Sequence, residues 1–236
     1  TASGSGALFY NTTGFANTAT GTYSLNNNSI GNNNTAIGYR ALESSTTGNF
    51  NTASGSNALS YNTTGLWNTG IGSNALYFNI EGNANVAVGN AALLSNATGS
   101  SNTANGTDAL FWNISGSSNT AIGHRTLFTN TTGVNNTAVG KEALLTILTG
   151  SNNTAIGYKA DVAEDAIVNA TAIGSNAYAG ASNSVVIGSV NGVNGATASA
   201  NVGIGTSAPD SKAILELKST NQGILFPRLT SLQRNA

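Results

Sequence analysis

A beat of 17 residues runs through this chain and restricts its fold more than any other feature. The pentapeptide Asn-Thr-Ala-Ile-Gly at residues 34–38 returns at 119–123 and 153–157, with close variants between. An asparagine column repeats every 17 residues from Asn17 through Asn34, Asn51, Asn68, Asn85, Asn102, Asn119, Asn136 and Asn153. A leucine column keeps the same step: Leu8, Leu25, Leu42, Leu59, Leu76, Leu93, Leu110, Leu127 and Leu144. A glycine column runs from Gly14 to Gly150, and a second glycine, ending the pentapeptide, from Gly4 to Gly174. Columns held in one register without a slip define a repeat architecture.

Seventeen residues are too few for a helical hairpin repeat. Thr-Ala-Ile alternates with a period of two, and the glycines and asparagines break helices and favour turns. The expected unit is one coil of a parallel β-solenoid, with two short strands and two turns. Coils stacked at the ~4.8 Å strand spacing, over the twelve intervals between Gly4 and Gly205, give a length of roughly 60 Å. A lone coil buries too few side chains to offset its ordering entropy, so stacking and oligomerisation must supply the rest.

Each column receives a reading. Leu42, Leu59, Leu76, Leu93, Leu110 and Leu144 are expected to fill the core, with the aliphatic column that includes Ile37, Ile71, Val88, Ile122, Val139 and Ile156 as a second core line. Thr20, Ser54 and Asn105 interrupt that line, which implies a narrow core tolerating some polar groups. The residue before it is always Ala or Gly, so another backbone comes close there, either the opposite wall or a partner chain. Asn34, Asn51, Asn68, Asn85, Asn102, Asn119, Asn136 and Asn153 can stack as an amide ladder. The Thr column, containing Val86, is expected to face inward, which argues against ice binding along it.

Three regions follow: regular coils over 1–157, irregular terminal coils over 158–205, and a connector over 206–236. The connector holds six of the 17 charged residues and both prolines; Ala213 to Lys218 reads equally as a strand or a helix. The chain starts inside a repeat and stops without a cap, so it is expected to be a segment of a longer polypeptide.

Only 7% of residues are charged and the net charge is −1, against roughly 25% charged in an ordinary domain. That leaves no electrostatic footprint for nucleic acid or anionic lipid. No apolar run is long enough to span a membrane as a helix, and the absence of cysteine removes disulfides and thiolate metal sites. The single histidine, His124, has no nucleophile partner, and Glu43, Glu81 and Asp108 occupy unrelated coil positions, so no carboxylate pair for glycoside chemistry forms. Residues 203–208 mimic a dinucleotide fingerprint, but Pro209 follows at once. Asp161, Glu164 and Asp165 lack calcium-loop spacing and read as a solvated turn. No enzyme activity, cofactor or metal is expected. Tyr61, Tyr77, Phe78, Phe111 and Trp112 follow the leucines closely, and Phe50 and Trp67 follow the loop glycine. They are candidate surface contacts, or else they lie buried between subunits.

The Asn-Thr-Ala-Ile-Gly-Tyr units, and the single 14-residue step from Gly174 to Gly188, resemble the head repeats of YadA-type trimeric autotransporter adhesins. The resemblance covers about residues 1–205 and implies a left-handed β-roll, a homotrimer, and non-catalytic adhesion to a host, prey or matrix surface from the bacterial cell surface. Most coils here have 17 residues rather than 14, and the family's stalk and membrane anchor are absent from this sequence. The tail, Asn-Val-Gly-Ile-Gly-Thr at 201–206 through Gly-Ile-Leu-Phe-Pro-Arg-Leu at 223–229, is similar to a linker of Bacteroidota surface proteins and phage-tail-fibre-like proteins. That similarity implies an appended fibre. A ligand-specific module for ice or glycan, or a phage-like tail-fibre segment, is the alternative.

Overall fold

The backbone of each coil makes its hydrogen bonds to the coils before and after it. In the computed structural model, which describes residues 1–163 and 165–224, this produces an all-β parallel solenoid with one three-residue strand in each regular coil. The strands form a single 12-stranded parallel sheet, running from Ala2–Ser3 through Thr18–Thr20, Thr35–Ile37 and successive coils to Thr154–Ile156, Thr171–Ile173 and Val185–Ile187. Register is strict: Thr35 pairs with Thr52, Ala36 with Ala53, and Ile37 with Ser54.

The second strand expected in each coil is absent from the regular coils and forms only at Asp161–Val162 and Tyr178–Ala179 among the described residues. The leucine wall is held in another way. Leu42 and its equivalents adopt a left-handed conformation, with φ of 52° at Leu42 and 53° at Leu76. For an ordinary side chain this costs ~1–2 kcal/mol. It also turns the leucine N–H along the stack, where Leu42 donates to the Ala58 carbonyl at 3.0 Å and Leu76 to Ala92 at 2.9 Å. The amide two residues earlier points the opposite way, Arg40 donating to Thr22 at 3.0 Å. The wall therefore satisfies its backbone through alternating conformations, a pattern that side-chain periodicity does not encode.

The leucines from Leu25 to Leu144 are fully buried, and so are the small strand residues from Ala19 to Ala172. The small column exists because the opposite wall lies directly against it. A Cβ placed on Gly70 would sit 3.4 Å from the Leu59 side chain and 3.2 Å from the Ala75 carbonyl. The second core line is corrected. Ile122 is 41% exposed and Ile156 42%, because Thr and Ile flank the inward Ala and both face out. Thr20, Ser54 and Asn105 interrupt an outer column, where polar groups are harmless. The Thr column likewise faces outward, and Val86 is an exposed member of it.

The asparagine ladder is buried; most of its bonds run to backbone, and Asn85 and Asn102 also donate to the Asn68 and Asn85 side chains at 3.1 and 3.2 Å. Asn34 Oδ1 accepts from the Asn51 N–H at 2.9 Å, and Asn34 Nδ2 donates to the Gly48 carbonyl at 2.7 Å. Asn102 repeats this with Asn119 and Gly116. A second asparagine column, which the sequence reading did not resolve, forms the true amide-to-amide chain. Asn79 donates to Asn62 at 2.6 Å, Asn96 to Asn79 and Asn113 to Asn96 at 2.7 Å each, and Asn130 to Asn113 at 2.8 Å. Each of these also donates to the glycine carbonyl three residues on, as Asn96 does to Gly99 at 2.8 Å. Side chains are excluded at that glycine: a Cβ on Gly65 would lie 2.5 Å from the Gly82 carbonyl.

Beyond Ser199 the chain forms a separate compact unit, Ala200–Ala236. Val202–Ile204 pairs in parallel with Leu215–Leu217. The segment read as strand or helix contains a strand, Leu215–Leu217. Residues 225–229 of the tail motif, and Glu164, lie outside the described residues.

The second asparagine column is broken at Ser45 and ends at Ile147. Its orphaned groups are found beside those breaks: Asn28 Oδ1, Ser45 Oγ and Asn130 Oδ1 are buried without a partner. Ser45→Asn should restore a donor to Asn28 and an acceptor to Asn62. The expected gain is about 1–3 kcal/mol, measured by denaturant titration, with the circular dichroism spectrum unchanged.

Candidate functional site

The outward side chains differ between the two walls. On the sheet, each strand presents a Thr and usually an Ile or Val, so two straight columns run along the stack. Ile37, Ile71, Ile122, Ile156 and Ile173 are exposed in one line, and Val185 and Ile187 extend the apolar surface. The face carries exposed aliphatic side chains in register, broken at Thr20, Ser54 and Asn105.

Aromatics follow Leu8, Leu59, Leu76, Leu110 and Leu127 by one or two residues, on the leucine wall. Tyr61, Tyr77 and Phe78 come together across two adjacent coils. Tyr61 stacks on Phe78 with centroids 5.4 Å apart, and Tyr77 meets both rings edge-on at 5.0 and 4.5 Å. Phe111 and Trp112 form a second cluster with Phe128, Phe111 stacking on Phe128 at 5.2 Å and meeting Trp112 edge-on at 4.9 Å. The Arg125 guanidinium caps Phe128, 4.4 Å from the ring centre, a favourable cation–π placement. Phe9 and Tyr10 make a third cluster, edge-on at 4.9 Å. Tyr10, Tyr61 and Trp112 are 51 residues apart, so they recur every third coil, a rise of roughly 14 Å. Single-coil columns hide that longer period.

Trp112 is 50% and Tyr10 58% exposed, while Tyr77 and Phe111 are partly covered. Burial, then the Tyr61 hydroxyl, push the Tyr77 hydroxyl above its usual range. Phe50 and Trp67 stack at 6.2 Å at the loop edge, apart from these clusters. Tyr61 on Phe78 and Phe111 on Phe128 stack along the solenoid, while Tyr10 and Trp112 make edge-on contacts with their neighbours.

Charged residues outside the aromatic face form an alternating column two positions after the turn glycine: Asp108, Arg125, Glu142 and Lys159. Lys159 reaches Glu142 at 3.7 Å, and Lys141 reaches it at 3.5 Å. Nearer the start, Arg40 pairs with Glu43 at 2.7 Å. Among the described residues no group of acidic and histidine side chains is arranged to hold a metal ion, and no helix is long and apolar enough to cross a membrane. Asp161, expected in a solvated turn, is instead 5% exposed.

In the second unit, a shallow cavity of about 370 Å³ lies against Ile204, Leu217, Lys218, Gln222 and Ile224. Ile204, Ile214, Leu215, Leu217 and Ile224 are exposed on this small unit. Residues 203–236 match the family described as the phage tail like trimerisation region. No curated protein and no solved structure shows significant similarity to the chain.

Trp67 is 58% and Trp112 50% exposed. In the assembled protein their fluorescence should be quenched fully by acrylamide and emit near the wavelength of solvated indole. A blue-shifted, protected emission would place these rings at a subunit contact.

Proposed function

We propose that the chain is a non-catalytic segment of an extracellular fibre, three copies packed about a common axis, which attaches its bearer to a surface. The observation that carries this reading is the pairing of a long outward Thr–Ile sheet face with a C-terminal region matching a trimerisation family. Trimerisation at 203–236 would bring three solenoids side by side. The aliphatic columns then supply the apolar surface to bury between them, with the Thr hydroxyls bonding within the contact. At ~25 cal/mol per Å², a repeated Ile or Val contact in every coil adds up along the fibre.

The same arrangement leaves the aromatic wall outward. Repetition every third coil on three chains makes an array of weak contacts, which bind by avidity without a deep pocket. Low charge lets such a surface approach many targets without electrostatic selection. The trimerisation match favours a phage-tail-like fibre context. The repeat's resemblance to adhesin heads points to the same mode of action, attachment of a cell or particle to a host, prey or matrix surface. An ice-binding module is the weaker alternative. It would need the outward Thr column to remain free in the assembly.

Two sets of variants separate assembly from attachment. Ile122→Lys combined with Ile156→Lys should destabilise the trimer, seen as dissociation on dilution in sedimentation velocity, because it buries unpaired ammonium groups. Tyr61→Ser combined with Trp112→Ser should keep mass and melting temperature while lowering the attachment of protein-coated beads to target cells several-fold. If the lysine pair leaves the assembly intact, the sheet face is not the contact. If the serine pair attaches normally, the aromatic wall is not the adhesive surface.

A further inference from the structure

Two phenols meet in one aromatic cluster of the leucine wall. Tyr61 stands two residues after Leu59 and Tyr77 one after Leu76, so they belong to adjacent coils. Their backbones are bonded directly, the Tyr61 N–H donating to the Tyr77 carbonyl at 3.0 Å. The rings meet edge-on with centroids 5.0 Å apart. Phe78 holds both from the side, stacked on Tyr61 at 5.4 Å and edge-on to Tyr77 at 4.5 Å. The Tyr61 hydroxyl is near enough to act on the Tyr77 hydroxyl, so the hydroxyl ends of the rings, with the ring carbons beside them, face each other.

Among the described residues no other pair of contacting rings is two tyrosines. Phe9 meets Tyr10, Phe50 meets Trp67, and Phe111 meets Trp112 and Phe128. Tyr61 is 42% exposed and Tyr77 is partly covered, so the pair is open to an oxidant. The chain has no cysteine and no methionine, the side chains that elsewhere take up oxidising equivalents.

We propose that Tyr61 and Tyr77 form an oxidative cross-linking site, where hydrogen peroxide acting through a haem peroxidase joins the two rings and staples adjacent coils together. Each phenol gives up one electron and its hydroxyl proton and becomes a phenoxyl radical. The two radicals pair into one carbon–carbon bond between the ring carbons beside the hydroxyls. The hydrogen on each of those carbons then moves to the neighbouring oxygen and restores both phenols. In all, two electrons and two protons leave the protein, and they reduce one hydrogen peroxide to two waters. The product closes a loop from residue 61 to residue 77, one full coil. A staple of that span restrains opening of the coil as a disulfide would, in a chain with no cysteine to make one. Rings already held in contact couple at an effective concentration far above that of rings on separate chains.

The test treats the folded full chain with hydrogen peroxide and a haem peroxidase, with N-acetyltyrosine in a parallel reaction to show that the oxidant is active. Dityrosine fluorescence should appear, the intact mass should fall by two hydrogens, and chymotryptic mapping should place the link between residues 61 and 77. That link should exceed any other tyrosine pair about tenfold, and the chain should run as a monomer on a denaturing gel. Tyr61→Phe and Tyr77→Phe should each remove the link, while Tyr10→Phe keeps it. Unfolding in urea before oxidation should erase the preference. A wild-type chain left unlinked under conditions that couple N-acetyltyrosine would overturn the proposal. So would links formed mainly between chains, or dityrosine at the wild-type level in both Tyr61→Phe and Tyr77→Phe.

Discussion

Coil-to-coil hydrogen bonding is the constraint on which everything else in the solenoid depends. Each coil is too thin to bond its backbone internally, so its amides and carbonyls must point along the stack and meet equivalents one coil away. That requirement holds successive coils in register, and the single 14-residue coil still pairs Thr171 with Val185. Within the regular coils an insertion or deletion would misalign the strand pairing, the leucine wall and both asparagine columns together. It also explains why a conformation as costly as left-handed leucine is repeated in coil after coil: the alternative is a buried, unpaired amide. The asparagines serve the same end, since Asn34 and its equivalents supply a carbonyl to the next coil's amide and a donor to a loop glycine. Glycine is required in that loop because two asparagine donors and the next backbone converge on it.

Much of this was legible in the sequence. The repeat, the parallel solenoid, the leucine core and the buried asparagine ladder follow from columns alone. The wrong inferences share one cause. With only three residues to a strand, alternation shows that the middle residue opposes its neighbours but leaves open which side is inward. Ala in the middle looked like a spacer between two core residues. In the structure it is itself the core residue, because the leucine wall lies too close for anything larger. Ile122 and Ile156 are outward for that reason. The missing second strand had no signal either, since backbone alternation on the leucine wall leaves no period in side-chain type. The second asparagine column was visible at Asn62, Asn79, Asn96, Asn113 and Asn130, but Ser45 and Ile147 break it. Those breaks account for orphaned amide oxygens at Asn28 and Asn130.

The functional reading follows from what each wall presents. One wall is a regular, hydroxyl-lined aliphatic sheet suited to a second and third copy of itself. The other carries aromatic clusters that recur every third coil, close enough to act together and too shallow to enclose a small molecule. Neither arrangement converges acid, base or metal-binding groups on one point, which is what chemistry at a site needs. Residues 203–236 are similar to a phage tail like trimerisation region.

The account rests on three chains sharing the outward sheet face. The direct measurement is the absolute mass of the purified chain in solution, by light scattering coupled to size exclusion, across a dilution series. The expected value is three times 23.6 kDa, stable to dilution. A monomer of 23.6 kDa with a cooperative melt would contradict it, because the aliphatic columns would then be stable in water without partners.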